Sequence, residues 1–69
     1  MDSKSIIFVL DAGGTGFKFS AVQDYKEIIE AFTIKTASDT LEEQLKKIIE
    51  GFRRTEELCG SKPAAISFC

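Results

Sequence analysis

The sequence predicts an α/β domain built of antiparallel hairpins and one parallel strand, and three features carry that prediction. Ile6–Leu10 is continuously apolar and rich in β-branched residues, as a strand buried on both faces is. After a glycine-rich break, Phe17–Val22 alternates apolar and polar residues, the pattern of a second strand. Leu41–Leu58 carries apolar residues at helical spacing and is followed by another apolar run, Ala64–Cys69. A strand that follows such a helix most naturally returns parallel to the first, through a right-handed crossover.

The first strand ends at Asp11. Ala12-Gly13-Gly14-Thr15-Gly16 reads as a turn, because glycines permit backbone angles closed to other residues. Strand, tight turn and strand make a hairpin. The next segment is ambiguous on pattern. Asp24-Tyr25-Lys26-Glu27 fits a helix cap, with Tyr25, Ile28, Ile29 and Phe32 at helical spacing. It also fits a hairpin turn before a third strand, whose face would carry Ile28, Phe32 and Ile34 and an unwelcome Glu30.

The helix over 40–58 is the clearest element. Asp39 can cap it, with Glu42 in the capping-box position. Leu41, Leu45, Ile48, Ile49 and Phe52 form one apolar stripe, expected to be core. Glu42–Lys46, Glu43–Lys47 and Glu50–Arg54 are opposite charges four apart on the wet face. Gly60 is a natural stop, with Pro63 beyond it.

Composition narrows the function. The chain has 69 residues, 43% hydrophobic and 29% charged, with a net charge of -2. It is globular in character, and short for a free-standing core. Two cysteines, no histidine and no CxxC leave neither a disulfide framework nor a metal staple evident. The pI near 5.0 and the lack of a basic cluster argue against a nucleic-acid partner. No apolar run spans a bilayer, and residues 1–5 lack the features of a signal peptide. A cytoplasmic protein with free thiols is the expectation.

The chemistry concentrates in Asp11-Ala12-Gly13-Gly14-Thr15-Gly16-Phe17-Lys18. Consecutive glycines let backbone N–H groups converge on an anion. Thr15 adds a hydroxyl, and Lys18 a positive charge. Asp11 is a poor neighbour for bare phosphate but a good one for Mg²⁺, which takes carboxylate, water and phosphate oxygens together. A phosphate-binding turn with a metal carboxylate is the outline of a phosphoryl-transfer site. The plainer alternatives are that Asp11 only caps a turn, that Gly13 and Gly14 only supply the positive φ of a hairpin turn, and that Lys18 is only a solvated strand residue. Neither the Walker A string nor the dinucleotide fingerprint occurs.

Ser5–Lys18 resembles the first phosphate motif of the actin-like ATPase superfamily, as it opens sugar kinases of the ROK (repressor, open reading frame, kinase) family: Asp-x-Gly-Gly-Thr-x-x-Lys. Asp11, Gly13, Gly14, Thr15 and Lys18 match at the right spacing. The family continues with a third strand (here 28–36), a helix (41–58) and an Ala-Ile-Ser strand (here 65–67), which decides the ambiguous segment in favour of strand. The resemblance implies a partial ribonuclease H-like domain, β-β-β-α-β, with strand order 3-2-1-4. It implies that Gly13, Gly14 and Thr15 hold the phosphates of ATP, that Asp11 holds Mg²⁺ through water, and that Lys18 offsets charge. Ala12 stands where many members carry Ile or Leu, and Gly16 is expected to loosen the turn.

Members of the family are several times longer. Residues 1–69 therefore read as the N-terminal part of an ATP-binding domain, glucokinase-like in the broad sense and inactive alone. The catalytic base, the sugar pocket and any zinc motif would lie downstream. Homodimerisation or pairing with the missing half is expected, because the last strand is an open apolar edge. Two other readings stand beside this one. A sugar-responsive repressor of the same family would need an upstream helix-turn-helix, for which the ten residues before Asp11 leave no room. A non-catalytic binding module would end where this chain ends.

Overall fold

The computed structural model describes residues 5–36 and 40–69. β1 (Ile7–Ala12) and β2 (Gly16–Gln23) form an antiparallel hairpin, with Ile7 opposite Val22 and Ala12 opposite Phe17. β5 (Ala65–Phe68) lies parallel to β1 on its other side, Ile7 opposite Ala65. The third strand exists, but in two pieces. β3 (Lys26–Glu27) pairs with Val22 and Gln23, and β4 (Phe32–Lys35) pairs with Gly16–Phe19, both on the outer edge of β2. From Glu27 to Phe32 the chain advances five residues while β2 covers three, Val22 to Phe19, so extra chain is looped out between them. Glu30 sits exposed in that loop, which removes the charge that an unbroken strand would have placed on an apolar face. The order is thus 3-2-1-4 as expected, with the third strand interrupted.

Asp24 and Tyr25 join β2 to β3 with φ of 55° and 63°. Two successive left-handed residues make the turn whose twist suits a two-residue hairpin, although glycine or asparagine is the usual occupant. Positive φ was expected instead in the Gly13–Gly16 turn. None of those glycines adopts it; among the described residues Gly60 is the one glycine that does.

Alternation fixes which side chains form the core. Phe8 and Leu10 of β1 and Phe17, Phe19 and Ala21 of β2 point to one face and are buried. The helix α1 (Leu41–Cys59) covers that face. Phe52 anchors it, 6.2 Å from Phe8 and edge-on to Phe19 at 5.4 Å and to Phe68 at 6.3 Å. Gly51 lets the helix backbone approach Phe19 directly: an added Cβ would fall 2.0 Å from the ring's Cζ. Arg54 lies over the Phe32 ring, 5.0 Å from its centre, and Lys47 Nζ donates to the Lys35 carbonyl at 2.7 Å, so this flank of α1 sits toward β4.

The stripe expected to be core is only half buried. Ile48 and Phe52 pack on the sheet, and the fully enclosed helix positions are Gly51 and Thr55. Leu41, Leu45 and Ile49 are exposed. At about 100° per residue, Leu45 and Ile49 lie on the flank opposite Lys47 and Arg54, toward β5. One helix covers one face of the sheet, so Ile7 and Val9 on the other face are half-exposed.

The helix start is also one residue later than expected. Thr40 is the cap: its Oγ1 accepts from the Glu43 N–H at 3.2 Å, and Glu43 reaches back to the Thr40 N–H. Asp39, the cap expected from sequence, lies outside the described residues. Glu42–Lys46 forms an exposed pair at 3.9 Å. Gly60 ends the helix in the left-handed conformation (φ 72°), its N–H donating to the Glu56 carbonyl at 2.8 Å. Cys59 is half-buried at the helix end, Cys69 is exposed, and both are free thiols.

Candidate phosphate-binding turn

The five singled-out residues converge at one end of the β1–β2 hairpin. Asp11 and Lys18 are direct cross-strand partners. Both lie on the face away from α1, since Leu10 and Phe19 occupy the helix side. Both are exposed, and among the described residues no ion pair joins them. A carboxylate and an ammonium thus flank the mouth of the turn with their charges available to a ligand.

The turn itself is held from below. The Gly13 N–H donates to the Gly16 carbonyl at 2.9 Å, and the Thr36 N–H donates to the Thr15 carbonyl at 3.1 Å. Those bonds fix Gly13 and the carbonyls of Thr15 and Gly16. Among the described residues, the N–H groups of Gly14 and Thr15 and the Thr15 hydroxyl find no protein acceptor. They are exposed donors at the tip of a braced loop, the arrangement that suits an incoming anion.

The glycines divide by role. A Cβ on Gly16 would meet the Ile34 carbonyl oxygen at 2.8 Å and Thr33 Cγ2 at 3.1 Å. Gly16 is therefore not a loose extra residue in the turn, as expected, but the first residue of β2, where β4 passes too closely for a side chain. A glycine opening a strand run was the signal for this close approach. Gly13 would meet only ordinary contact at 3.5 Å, and Gly14 has open space around it. Thr36, buried beside the turn, was not singled out from sequence; its role is to brace Thr15 through the backbone, which any residue type can do.

Among the described residues no cluster of three His, Cys, Asp or Glu could hold a metal by protein ligands alone. Asp11 offers one carboxylate beside the turn, which suits Mg²⁺, an ion that usually takes one or two carboxylates and completes its shell with water and phosphate oxygens. Among the described residues no helix is long and apolar enough to cross a membrane.

A hairpin with a braced glycine turn, an interrupted third strand and a helix leading to a parallel strand is a sugar-kinase-like fold. A similar solved structure is that of glucokinase from Parabacteroides distasonis, with a TM-score of 0.85 and 39% sequence identity over 97% of this chain. The chain spans 19% of the length of that glucokinase. No protein-family model matches the chain, and no curated protein does.

Proposed function

We propose that this chain is the phosphate-gripping, N-terminal part of the ATP-binding domain of an ATP-dependent sugar kinase, ribonuclease H-like in fold and of the ROK type that the Asp11–Lys18 motif resembles. The observation that carries the proposal is that the fold does not require glycine at positions 13 and 14. Neither uses a left-handed φ, and an added Cβ would meet no clash at either. Glycine where the backbone makes no demand is accounted for by what approaches from outside, and the exposed donors of Gly14 and Thr15 support an anion in that place.

In this account the Gly14 and Thr15 N–H groups and the Thr15 hydroxyl bind phosphate oxygens of ATP, with Gly13 keeping the approach clear. Asp11 would hold Mg²⁺, which would neutralise phosphate charge when bound. Lys18 adds positive charge from the facing strand. The sugar pocket and the base that takes the hydroxyl proton belong to a longer parent. The likeness to a glucokinase supports a sugar as acceptor.

A segment exchange tests this. The matching segment of the Parabacteroides glucokinase is replaced by this chain, and phosphorylation of glucose by Mg-ATP is followed. The exchanged enzyme is expected to be active, and Asp11→Asn in it to lower kcat at least tenfold with little change in sugar KM. Undiminished kcat in a folded Asp11→Asn enzyme would make Asp11 structural.

A further inference from the structure

We propose that Lys47 of α1 is a positioning residue for the phosphate turn, acting through the peptide unit between Lys35 and Thr36; this rests on the reading of that turn as the ATP site. The turn has little stiffness of its own, since two successive glycines leave its backbone more freedom than any other pair of residues would. The donors of Gly14 and Thr15 lie between two anchors. The Gly13 N–H donates to the Gly16 carbonyl at 2.9 Å within the turn, and the Thr36 N–H, donating to the Thr15 carbonyl at 3.1 Å, ties the turn to the end of β4. Donors that are held before the ligand arrives bind it more tightly, because less freedom is lost on binding.

The peptide that makes this tie is gripped from both sides. Gly16 stands opposite Lys35, and the bond runs from Thr36 to Thr15, so Gly16 and Lys35 are a non-hydrogen-bonded pair and the Lys35 carbonyl points away from β2. There Lys47 Nζ donates to it at 2.7 Å. In a trans peptide the C=O and the following N–H point opposite ways, so Lys47 and Thr15 hold one rigid plane between them. A cationic donor on the carbonyl also polarises the unit and strengthens its N–H as a donor toward Thr15. Thr36 is buried, so water competes poorly for that N–H.

The helix is phased to deliver this lysine. Lys47 lies one turn before Gly51 and two before Arg54, on the same flank of α1 at about 100° per residue. Gly51 brings the helix backbone against Phe19, and Arg54 lies over Phe32 of β4. Lys47, half-buried along its stem, is thereby carried to the end of β4. Charge spacing alone assigned it to the wet face with Glu43, which instead closes the cap at Thr40.

The test compares Lys47→Met with Lys46→Met, which removes the same charge one residue away from a side chain paired with Glu42. In the exchanged glucokinase, Lys47→Met is expected to raise the KM for Mg-ATP at least about threefold with the glucose KM unchanged, and Lys46→Met to leave both near the parent values. Lys47→Arg, which keeps a cationic donor, is expected to restore most of the loss. In the 69-residue chain, amide exchange at Thr36 is expected to quicken at least about fivefold in Lys47→Met while the amides of β1 keep their protection. Equal effects of the two lysine variants, a glucose KM that rises in step with that for ATP, or an unchanged Thr36 amide overturns the proposal. Gly14→Val separates it from the reading beneath it. If Gly14→Val raises the KM for ATP and Lys47→Met does not, the role of Lys47 alone is overturned; if neither does, the phosphate turn falls and this proposal with it.

Discussion

Gly51→Ala is the sharpest probe of how α1 sits on the sheet. In an exposed helix this substitution stabilises by about 1 kcal/mol, because alanine loses less backbone freedom than glycine. Here the new methyl would lie 2.0, 2.3 and 2.4 Å from three ring carbons of Phe19, where carbon atoms rest at about 3.5–4.0 Å. Phe19 cannot yield easily. It is fully buried, stacked on Phe32 at 5.3 Å and edge-on to Phe52 at 5.4 Å. The helix must therefore lift, loosening Phe52 and Ile48 together. Overpacking of this kind costs roughly 1–3 kcal/mol or more, and three ring carbons at 2.4 Å or less put this site at the upper end, so after the gain of about 1 kcal/mol in propensity a net loss of about 2 kcal/mol is expected. A domain of this size has only about 3–10 kcal/mol to lose, and each kcal/mol moves Tm by roughly 4–8 °C. Thermal and urea unfolding at one fixed protein concentration, followed by circular dichroism, measures the loss. Phe19→Leu in the same chain should recover part of it, since the two sites share one contact. A Gly51→Ala chain as stable as the parent sequence, or more so, would refute this helix placement.

Three further outcomes follow from the same packing. Tyr25→Asn should stabilise by roughly 0.5–1 kcal/mol in urea unfolding, because Tyr25 is 94% exposed and held at φ 63°, a conformation that asparagine tolerates far better. Thr40→Ala should cost about 1 kcal/mol in the same assay, since it removes the cap of the Glu43 N–H, whereas Glu42→Ala should cost much less. Gly14→Val should leave Tm within a few degrees, because nothing lies within 4 Å of the new Cβ, yet weaken Mg-ATP binding in the glucokinase exchange described above. Equal ATP affinity by calorimetry would contradict the cradle.

Much of this fold was legible because its signals are periodic. The Ile6–Leu10 run, the alternation after Gly16 and the spacing through Leu41–Leu58 each mark an element without tertiary context. The third strand was harder, since Tyr25–Phe32 satisfies a helical and an extended pattern about equally. The break after Glu27 depends on where β2 offers partners, which local sequence does not encode. The half-buried helix stripe has a similar cause. Hydrophobic spacing locates Leu41, Leu45 and Ile49 on one side of α1, but Gly51, with no side chain at all, rotates the true contact toward Thr55 by allowing the closest approach there. At the candidate site, the donors could be inferred from residue type. The division of labour among the glycines could not: Gly16 serves the β2–β4 contact, while positions 13 and 14 are free of any backbone demand. Only coordinates separate a glycine required by its neighbours from one left open to a ligand.

The most direct test of the phosphate turn is a titration of the isotope-labelled 69-residue chain with Mg-ATP, observed by amide NMR. Shifts are expected to concentrate at Gly13, Gly14, Thr15 and Lys18, to saturate at millimolar concentration, and to shrink when Asp11→Asn is titrated or Mg²⁺ is withheld. Adenosine without phosphate should leave them unmoved. Amides of 13–18 that stay still at 10-millimolar Mg-ATP (about 4 kcal/mol of binding at the millimolar level), while the sheet remains folded, would contradict a phosphate-binding role for this turn.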